Sequence, residues 1–560
     1  MVAAIARQSP RPARGTQFHA EFDIVVVGCG GIGLAAALFS RWSGNQVVIL
    51  EKAAEIGGTT RKAAFWYWVP NNKAMQTAGT TDTREDCLRY MARLSHPERY
   101  DSSAPHLGLT PWEYEMCAAI YDNASVATEL LAVKGALEYR HCAGVPDYWA
   151  ELPEDKAPTG RILLPKTANE SMSDGGEVAI RTMSAAARRD GIEIRTSHRV
   201  QRVVLDDAER VVGVEVDTAD GRNVRIRARK AVIFASGGFT HDAELRKNFL
   251  SVPVFGGCAA HSNEGDFVLI GSAVGAALRN MNYAWMCPII LEKALNRDAS
   301  LSGTFSPSGD SMIWVDRRGH RVTNEKLAYN ESAQAFFKWD PTRSEYPNLV
   351  LIAIWDQRSQ DHSASAEYGR FIVPPGADDS HVIKGTSIES LAAAIRDRFS
   401  RVGHAIGRMN IDGEFSDNLR AAVARFNGFA REGKDLDFHR GERQVELLFN
   451  GPTATQPAGP NVTMYPISEQ GPYYAALMTG GTLDTKGGPM TSAAGQVLDA
   501  MGKPIAGLYG AGNCVASASG RAYWAGGATL GSHLAFAYLA ANAAHREAVP
   551  ADHDPNRRRP

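Results

Sequence analysis

Residues 22–51 contain the pattern that most constrains the fold of this 560-residue chain. A β-branched apolar run over residues 24–27 leads directly into the sequence GCGGIG at residues 28–33, and an Ala- and Leu-rich helical segment follows. A second apolar run then ends at an acid, Glu51. A strand, a glycine-rich turn, a helix, a second strand and an acid in this order predict a dinucleotide-binding βαβ unit.

Each glycine of this unit has a separate physical purpose. Gly28 allows the tight strand-to-helix turn, Gly30 lets the backbone approach a pyrophosphate, and Gly33 lets the helix pack closely on the strand. The N-terminus of the helix faces the negative charge of the phosphates. Glu51 lies near the usual offset of about 20 residues, where a carboxylate accepts hydrogen bonds from the adenosine ribose.

Three further glycine turns help to distinguish FAD from NAD, which share the adenosine diphosphate half. They are KAAEIGGTT at residues 52–60, AVIFASGG at residues 231–238 and GLYGAGN at residues 507–513. Together with the first motif, they resemble the flavoprotein family that contains fumarate reductase and the 3-ketosteroid dehydrogenases. The resemblance spans residues 22–545 and implies that all four segments line one FAD.

The cofactor residues follow from these motifs and from the head of the last helix, which the family uses to hold the flavin pyrimidine oxygens. They are Gly28, Gly30, Gly31, Gly33, Glu51, Lys52, Gly58, Thr59, Thr60, Ser236, Gly237, Gly238, Gly512, Asn513, Thr529 and Leu530. One branch of the family attaches its flavin through a histidine in an "RSHT"-type segment. Here the chain continues from the GGTT turn as Arg61-Lys62-Ala63, which predicts non-covalent FAD.

The sequence SGRAYWAGGATLG at residues 519–531 is the most informative catalytic motif. It is similar to the "Y-P-G-P-G-A-T-x-G" of the 3-ketosteroid Δ1-dehydrogenases, where a tyrosine hydroxyl and a glycine N–H hold the C3 carbonyl of the substrate. By position, the resemblance implies that Tyr523 and Gly527 have these roles. The intervening residues 524–526 read Trp-Ala-Gly in place of Pro-Gly-Pro, which leaves the oxidised ring bond open.

Two more tyrosines fall at positions that match motifs of the steroid enzymes. Tyr329 follows Asn324-Glu325 as in "G-R-R-F-x-N-E-x-x-x-Y", and Tyr148 lies in a P-D-Y turn. The resemblance implies that Tyr329 takes the α-proton of a ketone and that Tyr148 assists it. A free phenol with a pKa near 10 is a weak base at neutral pH, so its pKa must be lowered or its proton relayed.

A comparison with the fumarate-reductase branch indicates a neutral substrate. That branch holds a dicarboxylate with an arginine at the position of Trp524 and a histidine in the segment that corresponds to residues 482–488, which here lacks histidine. The predicted function is FAD-dependent dehydrogenation of a 3-ketosteroid, next to the C3 ketone in ring A, with Δ1 favoured over Δ4(5α). The alternatives are a fumarate-reductase-like reductase of an unsaturated carboxylate and a non-catalytic flavin-binding protein.

The predicted fold class is α/β. A discontinuous Rossmann-type FAD-binding domain spans residues 21–277 and 458–546, and an inserted α+β substrate domain spans residues 278–457, where the βα rhythm stops. Helical patterns at residues 386–402 and 416–433 belong to the insert, and alternating residues at 191–216 predict a β-meander. Residues 1–20 and 547–560 are expected to be disordered tails.

Composition excludes several other classes of function. A net charge of −2 with mixed signs predicts no nucleic-acid face, and the dispersed histidines suggest no metal site. Seven cysteines without a CxxC pair favour a reducing compartment, so we expect a cytoplasmic protein. The uncharged stretch 522–544 predicts a buried helix rather than a membrane span. No second nucleotide motif is present, which favours a quinone, a carrier protein or oxygen as electron acceptor.

Overall fold

The computed structural model describes residue 13 and residues 17–169, 173–366, 369–407, 409–449 and 457–549. The strands are β1 (Ala20–Val27), β2 (Val47–Leu50), β3 (Tyr67–Trp68), β4 (Tyr139–His141), β5 (Ile162–Pro165), β6 (Glu193–Arg195), β7 (His198–Leu205), β8 (Val211–Thr218), β9 (Asn223–Phe234), β10 (Leu278–Arg279), β11 (Ala284–Ile290), β12 (Met312–Val315), β13 (Leu351–Asp356), β14 (Ile383–Gly385), β15 (Tyr473–Thr485), β16 (Gly488–Pro489), β17 (Gln496–Leu498) and β18 (Pro504–Gly510). The helices are α1 (Gly31–Trp42), α2 (Gly58–Arg61), α3 (Lys73–Thr77), α4 (Arg84–Ser95), α5 (Pro111–Val133), α6 (Gly175–Arg189), α7 (Ala243–Phe249), α8 (Asp266–Ala273), α9 (Leu291–Leu295), α10 (Tyr329–Ser332), α11 (Gln357–Ser363), α12 (Ile388–Val402), α13 (Phe415–Glu432), α14 (Gln444–Phe449) and α15 (Ala528–His545).

The largest sheet has the strand order β17-β18-β9-β1-β2-β6, and its central pairings are parallel. Val26 lies in register with Ile49 on one side and with Ile233 on the other. The central strands are apolar over their whole buried length because both faces of the sheet are covered. Helices α1 and α15 pack together on one face. The predicted α/β class and Rossmann-type sheet are therefore confirmed.

The predicted β-meander at residues 191–216 is present in a modified form. Strands β7, β8 and β9 pair antiparallel in succession, whereas β6 pairs in parallel with β2 and so belongs to the nucleotide-binding sheet itself. The prediction of one antiparallel unit was wrong for β6. Its three residues are too few for their alternation to indicate which neighbour they pair with.

A second, antiparallel sheet has the order β11-β15-β13-β12, with β14 also paired to β15. Helices α12 and α13 cover one face of it, close to the bounds expected from their patterns. Strand β15 begins after residue 458, the expected return to the cofactor domain, yet it pairs with strands of the predicted substrate domain. By strand pairing the second sheet extends to Thr485, so the two predicted domains share this strand.

The chain ends are partly ordered where tails were expected. Ala13 forms a parallel bridge with Val204, and β1 already begins at Ala20. At the other end, Glu547 accepts hydrogen bonds from Arg210 and from the Tyr509 hydroxyl. Residues 1–12, 14–16 and 550–560 lie outside the described ranges. Within those ranges, every helix is too short or too polar to cross a membrane, and most of the uncharged stretch 522–544 lies in the buried helix α15.

Candidate active site

A cleft lies at the carboxyl ends of the central parallel strands, where a doubly wound sheet binds its ligands. All the predicted cofactor residues except two line it: Gly28, Gly30, Gly31, Glu51, Lys52, Gly58, Thr59, Thr60, Ser236, Gly237, Gly512, Asn513, Thr529 and Leu530. The exceptions are Gly33 and Gly238. A Cβ on Gly33 would lie 1.9 Å from the Gly28 carbonyl oxygen, so this glycine permits the close crossing of α1 over β1.

The cleft fits a dinucleotide by its shape and by its polar groups. Gly28 has φ 103°, and a Cβ there would lie 2.5 Å from the Ala235 carbonyl oxygen. Helix α1 begins directly at the cleft, with Gly30 as an N-cap that carries no side chain. The hydroxyl of Ser236, which lines the cleft, is buried without a hydrogen-bond partner in the described part of the chain. These features suit the oxygen atoms of a pyrophosphate and its neighbouring groups.

The acid at the end of β2 is held in place by the backbone. One Glu51 carboxylate oxygen accepts from the Cys29 N–H and the other from the Ala53 N–H, both at 2.8 Å. Each oxygen keeps a second lone pair that can accept from a ribose hydroxyl. Lys52 instead forms ion pairs, at 3.2 Å with Glu264 and at 2.5 Å with Asp266. Its amine is therefore neutralised by protein carboxylates, and cofactor binding by Lys52 stays a prediction.

The structure brings the three predicted catalytic tyrosines into one buried cluster. The ring centroid of Tyr329 lies 5.4 Å from that of Tyr148 and 5.1 Å from that of Tyr523. The centroids of Tyr148 and Tyr523 are 5.8 Å apart. Thr529, which lines the cofactor cleft, donates its hydroxyl to the Tyr523 hydroxyl oxygen at 3.2 Å. The phenol cluster and the cofactor cleft therefore meet at the head of α15.

The surroundings of the three phenols shift their pKa values to different extents. Burial raises the pKa of Tyr148 and of Tyr329 well above 10. Both neighbouring tyrosines raise the pKa of Tyr329 further, whereas at Tyr148 the effect of Tyr523 is opposed by a hydrogen bond with Tyr329. Burial also raises the pKa of Tyr523, but hydrogen bonds from Thr529, Tyr329 and the Gly527 N–H oppose the shift. The hydroxyl of Tyr523 and the N–H of Gly527 thus converge, and this is the place in the cluster best prepared for negative charge.

A buried ion cluster fixes the loop that carries Tyr148. Arg161 is wholly buried and pairs with Asp82 at 2.8 Å, with Asp155 at 3.1 Å and with Asp147. The Asp147 carboxylate also accepts from the indole N–H of Trp68. Because three carboxylates surround Arg161, it is not available as a clamp for a substrate carboxylate. It positions the residue next to Tyr148 instead.

A buried lysine supports the loop that carries Tyr523. The Lys486 amine donates to the carbonyl oxygens of Gly520, at 3.0 Å, and of Ala522, at 2.6 Å, and it lies 4.0 Å from the Trp285 ring. Trp285 meets the Tyr523 ring edge-to-face at 5.0 Å. Burial lowers the pKa of Lys486 well below its usual value. Lys486 therefore fixes the loop that carries Tyr523, and Trp285 packs against the ring of Tyr523.

A buried carboxylate joins two walls of the cleft. Asp484 accepts from the backbone N–H of Gly238 at 2.9 Å and from the side-chain amides of Asn263 at 2.7 Å and Asn513 at 3.2 Å. Asp484 therefore connects the glycine turn after β9 to the turn after β18. The sequence offered no signal for this role.

The residue in the position of the fumarate-reductase arginine is directed away from the phenols. The indole N–H of Trp524 donates to the Met91 carbonyl oxygen and to Ser95, both in α4, and its ring lies 5.5 Å from that of Trp68. Its backbone carbonyl accepts from the Tyr148 N–H at 3.3 Å. Trp524 thus brings no cation to the cluster, and its effect on the pocket is through the path of the backbone.

Comparisons with known proteins give matches over most of the chain. Residues 23–530 match the family model described as FAD binding domain. The chain is 29% identical to 4-oxocyclohexanecarboxylate 2-dehydrogenase of Sinomonas cyclohexanicum, over 93% of this chain and 92% of that protein. It is 28% identical to 3-oxosteroid 1-dehydrogenase of Mycobacterium tuberculosis H37Rv, over 93% and 98%.

A solved structure shares the fold. It is the 3-ketosteroid Δ1-dehydrogenase of Sterolibacterium denitrificans in complex with 1,4-androstadiene-3,17-dione, with a TM-score of 0.79 and 23% identity. The match covers 94% of this chain and 99% of that one. The similarity extends through both sheets and not only through the nucleotide-binding unit.

Proposed function

The chain belongs to the family of FAD binding domains, and from this premise we propose that it is a dehydrogenase that introduces a C=C bond next to the ketone of a 3-ketosteroid. It is an FAD-dependent oxidoreductase acting on CH–CH groups, as its curated relatives are. One observation carries the proposal. The phenols of Tyr148, Tyr329 and Tyr523 and the N–H of Gly527 converge beside Thr529, which also lines the cofactor cleft.

The residues divide the chemistry between an oxyanion pair and a base. Tyr523 O–H and Gly527 N–H would hold the ketone oxygen and stabilise the enolate that forms when the α-proton leaves, an effect of about 3 kcal/mol per donor. Tyr329, as phenolate, takes the α-proton, and Tyr148 donates a hydrogen bond to it. Bound FAD supplies the acceptor for the hydride that leaves the β-carbon. Loss of this proton and hydride leaves the new C=C bond.

The arrangement of charges favours a neutral ketone over a dicarboxylate. Arg161 is already paired with three carboxylates, and Trp524 supplies no cation. A buried carboxylate substrate without a cationic partner would be strongly disfavoured. We therefore favour a ketone dehydrogenase over the fumarate-reductase-like alternative as the function of this chain. A non-catalytic flavin-binding protein would not need three adjacent phenols.

A second candidate substrate is a small cyclic ketone. The relative that acts on 4-oxocyclohexanecarboxylate is 29% identical to this chain, slightly more than the steroid relative. The same oxyanion pair and base would serve a single ring. The carboxylate of this substrate, however, would lack a cationic partner if it were buried, which favours the steroid. We retain the 3-ketosteroid as the proposal, with Δ1 favoured over Δ4(5α), and we propose a cytoplasmic enzyme with non-covalent FAD that passes its electrons to a quinone, a carrier protein or oxygen.

The test is to incubate the purified FAD-loaded protein with an artificial electron acceptor and one ketone at a time. The panel contains a saturated 3-ketosteroid, steroids that lack only the Δ1 or only the Δ4 bond, and 4-oxocyclohexanecarboxylate. We expect turnover of a steroid and a product with its new double bond at C1. Turnover of the monocyclic acid alone would replace the steroid with the second candidate. In a parallel assay with an artificial electron donor, reduction of fumarate by a protein that oxidises none of the ketones would reject both.

A further inference from the structure

His533 is a buried imidazole that the chemistry above does not use. It lies in the second turn of α15, it is 3% exposed, and it lines the cofactor cleft. Neither of its ring nitrogens has a hydrogen-bond partner among the residues that the structure describes. None of the helix residues within four positions of it is charged, so no ion pair within the helix requires a titratable ring there.

An imidazole in this position is costly unless it finds a partner. A buried polar group without a hydrogen bond costs roughly 1–3 kcal/mol. Ser532, the adjacent residue, is also buried, but its hydroxyl donates to the Ala528 carbonyl oxygen at 2.6 Å within the same helix. The His533 ring has no comparable hydrogen bond to the described residues of its own helix. Both of its ring nitrogens therefore require a group that enters the cleft from outside the protein.

The position of His533 in α15 indicates which group that is. Residues four apart lie on the same face of a helix, so His533 sits one turn deeper than Thr529, and both line the cleft. Thr529 belongs to the segment expected to hold the flavin ring. We propose that His533 is a cofactor-contact residue that hydrogen-bonds to FAD through its imidazole.

The charge state of the His533 ring limits which groups of FAD suit it as hydrogen-bond partners. Burial lowers the pKa of His533 to about 4, so the ring is neutral at pH 7 and offers one N–H donor and one acceptor nitrogen. A neutral ring matches the uncharged polar groups of FAD, which are the flavin carbonyls and nitrogens and the ribityl hydroxyls. The pyrophosphate would instead favour a cation. The position of His533 one turn from Thr529, which belongs to the segment expected to hold the flavin ring, agrees with this match, and His533 is assigned to the flavin and ribityl part.

This inference depends on FAD binding and not on the substrate, so it can be tested without turnover. Apoprotein is titrated with FAD, and the dissociation constant is measured for the parent chain and for the variants H533F, H533N and S532A. Phenylalanine keeps the ring volume and removes both nitrogens, whereas asparagine keeps one donor and one acceptor. S532A is the matched control, since its hydroxyl is satisfied within the helix.

We expect H533F to weaken FAD binding at least tenfold, H533N to recover part of that loss, and S532A to stay within twofold of the parent. Because the imidazole is unpaired before FAD binds, H533F apoprotein should melt at or above the temperature of parent apoprotein, and FAD should raise its melting temperature less. Parent-like affinity in both His533 variants, or an H533F apoprotein that melts lower while its affinity is unchanged, would show a purely structural residue and overturn the inference.

Discussion

At the scale of single residues, Tyr329 is the group on which the proposed proton transfer depends. Replacing it with Phe removes only the hydroxyl and keeps the ring that packs at 5.0 Å on Phe305. A general base typically contributes 10²- to 10⁴-fold, so we expect Y329F to lower kcat by at least about 10²-fold. FAD content, measured from the absorbance of the purified protein, should not change because Tyr329 does not line the cleft.

The control for this variant is Y474F. Tyr474 lies on β15 and donates its hydroxyl to Gln357 at 2.6 Å, in the second sheet. It should retain full turnover. If Y329F also retained activity, the base would have to be another group, and Tyr148 would be the next residue to replace.

The pH dependence of turnover follows from the buried state of the same phenol. Burial raises the pKa of Tyr329 well above 10, so the phenolate is a small fraction at neutral pH and grows tenfold with each unit of pH. We expect kcat to rise with pH from 6 to 9, with a slope that approaches one in a logarithmic plot. A flat profile from steady-state rates would show that the phenol does not have to ionise before it accepts the substrate proton.

The sequence allowed some site residues to be predicted and not others, and the difference has a physical origin. Gly28 and Glu51 could be assigned from spacing because a βαβ unit places them by local geometry alone. Tyr329 and Tyr523 belong to remote segments, and only the family resemblance linked them. His533 could have been found from its four-residue spacing to Thr529, whereas the partners of Arg161 depend on tertiary contacts that no local pattern encodes.

At the scale of elements, the loop between β18 and α15 carries Tyr523 and depends on Lys486. The amine bridges two carbonyl oxygens of this loop and supports Trp285 behind the phenol. Replacing Lys486 with Met keeps the aliphatic stem and removes both hydrogen bonds. Because the Tyr523 hydroxyl then loses its fixed position, we expect K486M to lower kcat about 10- to 100-fold with FAD still bound.

The measurement compares kcat and KM for K486M with those for K384M. Lys384 is exposed and pairs with Asp379 on the far side of the second sheet, so its replacement should leave both constants unchanged. Removing the buried amine also removes its desolvation cost, so K486M need not lose stability. An unchanged kcat in K486M would mean that Lys486 is not needed to position Tyr523.

Strand β15 shows where prediction of elements fails. Its thirteen residues contain adjacent glycines, Gly480 and Gly481, which weaken any strand pattern. In the structure these glycines are needed because a Cβ on Gly480 would lie 2.3 Å from the Phe337 ring. Helices α12 and α13 were predictable since their apolar faces repeat with the helical period. Pairing across the sheets is decided by contacts between distant segments.

At the scale of the whole molecule, the cofactor cleft is built from segments hundreds of residues apart, so its occupancy and the folding of the chain are coupled. The turns at residues 28–33, 57–60, 235–238 and 511–513 meet only in the folded protein. A ligand that binds only the folded state stabilises it by about 2.7 kcal/mol at a concentration 100 times its Kd. We therefore expect the melting temperature of the apoprotein to rise steadily with added FAD.

Gly33 provides the variant that tests this coupling. A Cβ at residue 33 would meet the Gly28 carbonyl oxygen at 1.9 Å, so G33A must push α1 away from β1 and distort the turn that faces the pyrophosphate. We expect G33A to bind FAD at least tenfold more weakly and to lose most of the FAD-dependent rise in melting temperature. Gly413 has open space at its Cβ position, and G413A is the matched control that should keep both. If G33A melted and bound FAD like the parent, the crossing of α1 over β1 would not control the cleft, and the link between this glycine and the cofactor would be lost.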